Sequence, residues 1–322
     1  MKKMRIMAAA MMLIMTAVST FGQSKVYVTR EITPQSLVRI YKALGVEAQG
    51  RVAVKISTGE GGNTHYLRPT LIRQLVDEVN GTVVECCTAY PGTRMDPKQH
   101  WETIHEHGFD SIFAVDLMDE FGQIRIPVQD KKHLKYDLVG EHLANYDFMI
   151  NLAHFKGHAM GGFGGVLKNA SIGVASSAGK AYIHSAGKTD DTRLAWSPDY
   201  LAAGETQDLF LESMAAAAQA VHNYFGGKVI YINVMNNMSV DCDCDGDPEK
   251  PELKDMGIVA SLDPVAVDQA CLDMVFNYQG KPGDDNKPLI QRINRQHGTY
   301  ITDYAQLIGL GSKTYQLISI DN

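Results

Sequence analysis

The side chains best suited to chemistry lie in a glycine-rich segment, residues 151–185. It follows an apolar run that we predict to be a buried strand. Histidine transfers protons near neutral pH, lysine binds anions, and glycine lets the backbone approach a ligand closely. The segment matches neither the phosphate-binding loop GxxxxGKS/T nor the dinucleotide-binding loop GxGxxG. The candidate catalytic residues are His158, Lys168 and His184, and the candidate substrate-binding glycines are Gly164 and Gly165.

Two other loops carry candidate substrate-binding residues. Residues 58–69 (TGEGGNTHYLRP) and residues 86–94 (CCTAYPGTR) each follow a predicted strand. Arginine can hold a carboxylate through two parallel hydrogen bonds, or it can pair with a structural acid. The candidates in these loops are Gly61, Gly62, Arg68 and Arg94.

A third group of candidate residues could bind one metal ion. The acidic segment 241–252 reads DCDCDGDPEKPE. Alternating aspartates before a glycine are typical of calcium loops, whereas thiolates with histidines bind softer metals such as zinc or iron. A solvated loop with free or disulfide-bonded cysteines is the third interpretation. The candidate ligands are Asp241, Asp243 and Asp245 for calcium, and Cys242, Cys244, His154, His158 and His184 for a softer metal.

The elements that must position these loops alternate between strands and helices. This rhythm predicts an α/β fold with mainly parallel sheets and helices on both faces. Ligands of such sheets bind beyond the carboxyl ends of the strands, where the candidate loops lie. The predicted strands are 52–56, 82–85, 112–115, 148–152, 228–234, 258–261 and 315–320. The predicted helices are 67–79, 97–107, 206–224 and one beginning at Pro264, and residues 124–139 are a predicted hairpin.

Residues 1–22 have the pattern of a secretory signal peptide: a basic start, an apolar run and small residues before Gln23. The run is too short to predict a transmembrane helix. We therefore expect a periplasmic or secreted protein with no membrane contact after cleavage. The mature α/β domain would be residues 23–322, with a candidate boundary between two lobes near 188–204.

Composition limits the classes of partner. The 322 residues include 37 acidic and 30 basic side chains, for a net charge of −7, and 45% are hydrophobic. Such a chain can bury a large core, and its acidity argues against binding nucleic acid. A small anion or a metal is the expected partner, and the oligomeric state is left open.

Three separated phrases resemble one family, the iron–sulfur-centre proteins grouped as domain of unknown function 362. They are HFKGHAMGGFGGVLKN, the later His184, and GIVASLDPVAVDQAC from Gly257 to Cys271. Many relatives insert a ferredoxin module after the segment that matches residues 181–185. That module carries a C-x2-C-x2-C-x3-C run, which is missing here, so no ferredoxin-type iron–sulfur cluster is expected.

The order of motifs is also distantly similar to the nickel-pincer lactate racemases, which implies a lactate-racemase-like, two-lobed architecture. Arg68-Pro69 resembles their Arg-Pro pair, which implies a carboxylate clamp. The spacing of His158, Lys168 and His184 resembles theirs, which implies a proton-transfer group, the attachment point of the pincer and a nickel ligand. Gly92-Thr93-Arg94 lacks the histidine of the corresponding racemase phrase, so one half of an acid–base pair is missing.

Two hypotheses therefore remain open. In the first, glycine-rich loops form an anion- or metal-binding cleft of an exported enzyme that acts on a small carboxylate or phosphate-bearing substrate. In the second, the protein is a non-catalytic metal-binding or accessory protein that uses its Cys/His or Asp-rich loops. The candidate metals are zinc, iron, nickel and calcium.

Overall fold

The computed structural model describes residues 23–321, in which strands and helices alternate along the chain. The predicted signal peptide lies outside these residues. The strands are β1 (Ser24–Thr29), β2 (Val52–Lys55), β3 (Gly81–Glu85), β4 (Val115–Leu117), β5 (Gln123–Ile126), β6 (Asp137–Gly140), β7 (Phe148–His154), β8 (Lys156–His158), β9 (Gly162–Gly164), β10 (Val229–Met235), β11 (Gly257–Ser261) and β12 (Tyr315–Ser319). The α-helices are α1 (Pro34–Ala43), α2 (Pro69–Glu78), α3 (Pro97–Glu106), α4 (Val166–Ser171), α5 (Ser177–His184), α6 (Gln207–Tyr224), α7 (Pro264–Asn277), α8 (Lys287–Arg295) and α9 (Tyr300–Leu307).

Eight strands form one sheet in the order β12-β1-β11-β10-β7-β2-β3-β4. All neighbours are parallel except β11, which runs antiparallel to β1 and β10. The predicted α/β fold with a mainly parallel sheet is confirmed. Because β2, β3, β7 and β10 run in one direction, the loops that follow them emerge at the same edge.

Helices cover both faces of the sheet because strand residues alternate between two cores. In β2, Val54 belongs to a core that also contains Leu37 of α1 and Ile72 of α2. The neighbouring Ala53 belongs to the other core, which contains Phe210 of α6. This period of two places successive side chains on opposite faces.

Several local predictions are confirmed with small changes. The predicted hairpin corresponds to the antiparallel pair β5 and β6, and Asp263 caps α7 by accepting from the N–H groups of Val265 and Ala266. Strand β4 begins three residues later than predicted.

The sheet takes strands from both sides of segment 188–204, so the division into two lobes stays a prediction. Across residues 23–321, no helix has the length and hydropathy needed to cross a membrane.

The glycine-rich loop is anchored by the buried carboxylate of Asp268 on α7. The two carboxylate oxygens accept from the N–H groups of Val166 (2.9 Å) and Leu167 (3.0 Å), at the start of α4. Asn233 on β10 also donates to Asp268 (2.7 Å). A Cβ at Gly165 would lie 2.3 Å from the carboxylate, so this position needs glycine. Asp268 thus fixes the helix that carries Lys168.

Replacing Asp268 with asparagine should therefore lower the free energy of unfolding by about 2 kcal/mol, because an amide nitrogen would face one of the backbone N–H donors. Chemical denaturation at pH 8 measures the loss, since burial raises the pKa of Asp268 only to about 6. The exposed Glu102→Gln on α3 is the matched control and should stay within about 0.5 kcal/mol of the parent. Equal stability of the two variants would contradict this anchoring role.

Candidate functional site

A cavity of about 460 Å³ opens at the carboxyl ends of the parallel strands. Lys55, Glu85 and His154 are the last residues of β2, β3 and β7, and all three line it. Cys242 reaches the cavity from the loop after β10, and Lys168 from α4. The loops therefore meet where open α/β sheets place their ligands.

Most of the residues predicted from the sequence lie together around this cavity, and four do not. The predicted residues that line it are Arg94, His154, His158, Gly164, Gly165, Lys168, His184, Asp241, Cys242, Cys244 and Asp245. The predicted residues outside its lining are Gly61, Gly62, Arg68 and Asp243.

Arg68 lies on the surface rather than in the cavity. It is exposed at the start of α2, where its guanidinium stacks on the Tyr66 ring (4.4 Å) and donates to the Tyr66 hydroxyl (2.8 Å) and the Thr64 carbonyl (2.7 Å). The nearby Gly61 uses its N–H to bond the Thr93 hydroxyl (2.9 Å). The arginine that the structure brings to the cavity is Arg94.

A buried network of four charges forms one wall of the cavity. Glu85 bonds Lys55 (2.8 Å) and Arg94 (3.1 Å), and Arg94 also contacts Glu60 (3.4 Å). Burial disfavours the ionised form of Glu85, but the charges of Lys55 and Arg94 outweigh this and lower its pKa to about 2. The N–H of Thr58 donates to the same carboxylate (3.0 Å). Two cations and two carboxylates thus balance in this wall.

A second buried network fixes the acidic segment through Asp243. Its carboxylate lies 2.7 Å from His154 Nδ1 and 2.8 Å from Lys156 Nζ. The other ring nitrogen of His154 lies 2.5 Å from the Asn236 carbonyl, so both of its nitrogens are occupied. Asp241 pairs separately with Arg292 (3.1 Å). These aspartates therefore serve as ion-pair partners, and His154 has no nitrogen left for a metal.

The remaining candidate metal group consists of His158, Cys242 and Cys244. One ligand atom from each lies within 4.8 Å of the others, and among residues 23–321 this is the group whose spacing could hold a metal ion. All five cysteines, including Cys86, Cys87 and the core residue Cys271, are free. The disulfide that remained open from the sequence is therefore not formed in this structure.

Cys242 carries the most polarised sulfur of the site. Its Sγ accepts from the Cys244 N–H (3.2 Å) and from Lys168 Nζ (3.6 Å). Burial opposes ionisation, but a hydrogen bond from the Cys244 side chain and the charge of Lys168 outweigh it, and the pKa of Cys242 falls well below its usual range. Burial likewise opposes the charge of Lys168, yet the Cys242 sulfur raises the pKa of that lysine. The two side chains form a thiolate–ammonium pair.

Burial favours the neutral form of two of the three histidines that line the cavity, His158 and His184. Burial, followed by the charge of Lys168, lowers the pKa of His158. His158 Nδ1 accepts from the backbone N–H groups of Met160 (3.2 Å) and Gly161 (2.8 Å), so the ring proton resides on Nε2. Burial lowers the pKa of His184 well below its usual range. The buried Nδ1 of His184 has no hydrogen-bond partner among the described residues.

Sequence reasoning missed several charged and aromatic residues of the cavity. Lys55 and Glu85 end otherwise apolar strands, and a charge at such a position is a usable signal. Lys180 lies one helical turn before His184 on α5, and this spacing indicates that the two side chains lie on the same face of the helix. No local pattern marks Trp196, which reaches the cavity from the irregular segment 188–204 and donates to the Ala89 carbonyl (2.8 Å).

One family model matches most of the chain. The family model described as "Domain of unknown function (DUF362)" matches residues 52–273. The chain therefore belongs to this family, and the resemblance found in the sequence is confirmed. No curated protein matches the chain.

Two solved structures are similar to the chain at low identity. One is the lactate racemase apoprotein from Thermoanaerobacterium thermosaccharolyticum, with 14% identity and a TM-score of 0.39, covering 66% of this chain and 50% of that one. The other is a protein from Thermotoga maritima, with 13% identity and a TM-score of 0.45, covering 79% of this chain and 61% of that one. The chain thus matches half to three fifths of the length of these proteins.

The buried network predicts a specific response to Glu85→Gln. The substitution leaves Lys55 and Arg94 buried with one carboxylate fewer, and the free energy of unfolding at pH 7 should fall by about 3 kcal/mol. The pKa of Glu85 is lowered from 4.5 to about 2, so its stabilisation is complete above pH 4.5 and is lost as the pH falls toward 2. The difference between the parent and the variant should therefore fall to about half by pH 3 and disappear below about pH 2.

Denaturant titrations at pH 7 and pH 3 test this, with the exposed Glu47→Gln as the matched control. A stability difference that stays constant between the two pH values would show that Glu85 does not act through its charge.

Proposed function

We propose that the protein is an enzyme that binds a small carboxylate- or phosphate-bearing substrate in the cavity. The observation that carries this proposal is the charge left over after the buried pairs are matched. Lys55 and Arg94 are balanced by Glu85 and Glu60, and Lys156 is balanced by Asp243 beneath the lining. Lys168 pairs with the Cys242 sulfur, so in the described part of the chain the lining ammonium left without an anionic partner is that of Lys180.

Neither of these lysines has a carboxylate partner among residues 23–321. Lys168 contacts the Cys242 sulfur (3.6 Å), and Lys180 donates to the Ala175 carbonyl (2.5 Å). A buried cation is costly unless it is paired, so an anionic ligand between these groups would be stabilised. The close packing of the glycine-rich loop beside Lys168 leaves backbone, rather than side chains, facing such a ligand.

The proton-transfer role in this proposal belongs to His184. Its ring is buried, stacks on Phe210 (4.4 Å between ring centroids) and lines the cavity. The pKa of His184 is lowered by burial, then by the charges of His158, Lys168 and Lys180. A bound anion would offset the lysine charges and make the ring a stronger base. Substrate binding would thus prepare His184 for proton transfer.

The racemase resemblance implies a nickel cofactor attached at Lys168 and ligated by His184. These residues fit it in part: both line the cavity, and His184 has an unpartnered nitrogen. Against this, Lys168 is paired with Cys242, and Arg68, the implied carboxylate clamp, lies outside the cavity. We therefore assign no step to such a cofactor.

We also infer from residues 1–22 that the enzyme acts in the periplasm or outside the cell.

Replacing Lys168 with methionine should weaken binding of small anions at least about tenfold, since the variant keeps the side-chain volume and removes a charged hydrogen-bond donor. Isothermal titration calorimetry with a panel of small carboxylates and inorganic phosphate measures this. Lys168→Arg should retain most of the affinity, and the exposed Lys131→Met should match the parent. If the parent binds none of these anions, or if Lys168→Met binds them equally well, the anion-binding proposal fails.

A second candidate function is metal binding, which the spacing of His158, Cys242 and Cys244 favours. The hydrogen bonds of His158 count against it. A metal on Nε2 would need the ring proton to move to Nδ1, where two backbone N–H groups already donate. The ammonium of Lys168 beside Cys242 would also repel a cation. The enzyme hypothesis is therefore the better supported of the two.

Elemental analysis of protein purified without an affinity tag separates the two candidates. We expect less than about 0.1 equivalent of zinc, iron, nickel or calcium, because the sulfur of Cys242 is already neutralised by Lys168. About one equivalent of zinc or iron, lost in both Cys242→Ser and His158→Ala, would establish the metal function instead. Calcium near one equivalent would restore the Asp-loop interpretation.

A further inference from the structure

Cys242 and Cys244 occupy the first and third positions of a tight turn. The Asp245 N–H closes this turn on the Cys242 carbonyl (3.0 Å). Asp243, between the two cysteines, is held by His154 and Lys156, and its carbonyl accepts from the Glu60 N–H (2.7 Å). The turn is thus fixed at its centre, while both thiols face the cavity and their Sγ atoms lie within 4.8 Å of each other.

The two sulfurs have different surroundings. Cys242 is only 4% exposed and accepts hydrogen bonds from the Cys244 backbone and from Lys168. Cys244 is more exposed, and among the described residues no side-chain cation is within hydrogen-bonding distance of its sulfur. Cys242, whose sulfur has two hydrogen-bond donors, is therefore placed as the attacking group, and Cys244, two residues later, is placed as the resolving thiol.

We propose that Cys242 and Cys244 are a redox-active dithiol that exchanges with small disulfides bearing carboxylates. This extends the proposed function, because the carboxylates would bind at Lys168 and Lys180. The cavity admits a small molecule, whereas the low exposure of Cys242 excludes a folded protein's disulfide. The turn keeps the α carbons of the pair close, as a disulfide requires.

The exchange balances without any other oxidant. The Cys242 thiolate attacks one sulfur of R–S–S–R, forms Cys242–S–S–R and releases RS⁻. The Cys244 thiol then loses its proton, and its sulfur attacks the Cys242 sulfur, which releases the second RS⁻ and leaves a Cys242–Cys244 disulfide. Two electrons pass from the dithiol to the substrate disulfide, and the two thiolates released take up protons according to their pKa.

The test uses peptide mass after exposure of the native protein to disulfides in the presence of a chelator. The tryptic peptide 229–254 contains Cys242 and Cys244 and no other cysteine. We expect this peptide to lose two hydrogens in the parent protein and to retain one half of the disulfide reagent in Cys244→Ser. Cys242→Ser should stay unmodified, and Cys87→Ser, which alters a thiol outside the cavity lining, should behave as the parent does.

The parent protein alone can overturn the proposal, so the result does not depend on whether a variant folds. Two free thiols remaining on this peptide, or a mixed disulfide that persists in the parent, would show that the pair does not act as a redox couple. Unchanged reaction in Cys242→Ser, with its melting temperature like that of the parent, would remove Cys242 as the attacking group.

Charge selectivity separates this proposal from the anion-binding function. Three probes of similar size are dithiodipropionate, hydroxyethyl disulfide and cystamine, which are anionic, neutral and cationic. The rate of each probe with the protein is divided by its rate with mercaptoethanol, which corrects for the reactivity of the probe itself. After this correction, the anionic probe should react at least about tenfold faster than the cationic one. The substitution Lys168→Met should reduce the ratio of the anionic rate to the cationic rate. Equal rates accompanied by disulfide formation would overturn the anion selectivity and leave the exchange itself standing.

Discussion

The buried carboxylate of Asp243 is the constraint on which the site depends. It joins the loop after β10 to the start of the segment after β7, through Lys156 and His154. Burial of Asp243 would raise its pKa, but these two partners lower it strongly, so the carboxylate stays charged and the loop stays in place. Without this pairing, the turn that carries Cys242 would lose its buried ion-pair anchor.

The centre of the sheet was predictable from the sequence because strands β2, β7, β10 and β11 are wholly buried. Strands β7 and β10 are mainly apolar, with one buried asparagine inside each, and that pattern, with helices between them, specifies a parallel sheet covered on both faces. The sequence analysis assigned no element to residues 24–43, which form β1 and α1. Strand β1 pairs with β11 and β12, more than 200 residues away, so only tertiary contacts define its place.

The position of the site was predictable from the sequence, but the pairing of its charged side chains was not. The loops expected to meet do meet, because parallel strands bring their carboxyl ends together. Arg68 and Arg94 are equally plausible as anion clamps from sequence, and only the fold decides that one stacks on Tyr66 while the other enters the cavity. In the same way, the aspartate spacing typical of a calcium loop is present in the sequence. Its central aspartate, however, is used by Lys156 and His154, whose proximity no local pattern reveals.

The same electrostatics explain why the cavity favours an anionic ligand over a bound metal cation. In a buried site each charge interacts strongly with its neighbours, because little water screens it. Lys168 stabilises the Cys242 thiolate, and the neutral His158 can donate from Nε2 but offers no free lone pair there. A metal cation would therefore have to displace the Lys168 ammonium from the Cys242 sulfur and move the ring proton of His158 from Nε2 to Nδ1. An anion needs neither change, since Lys180 has no carboxylate partner among the described residues and its charge favours a negative ligand.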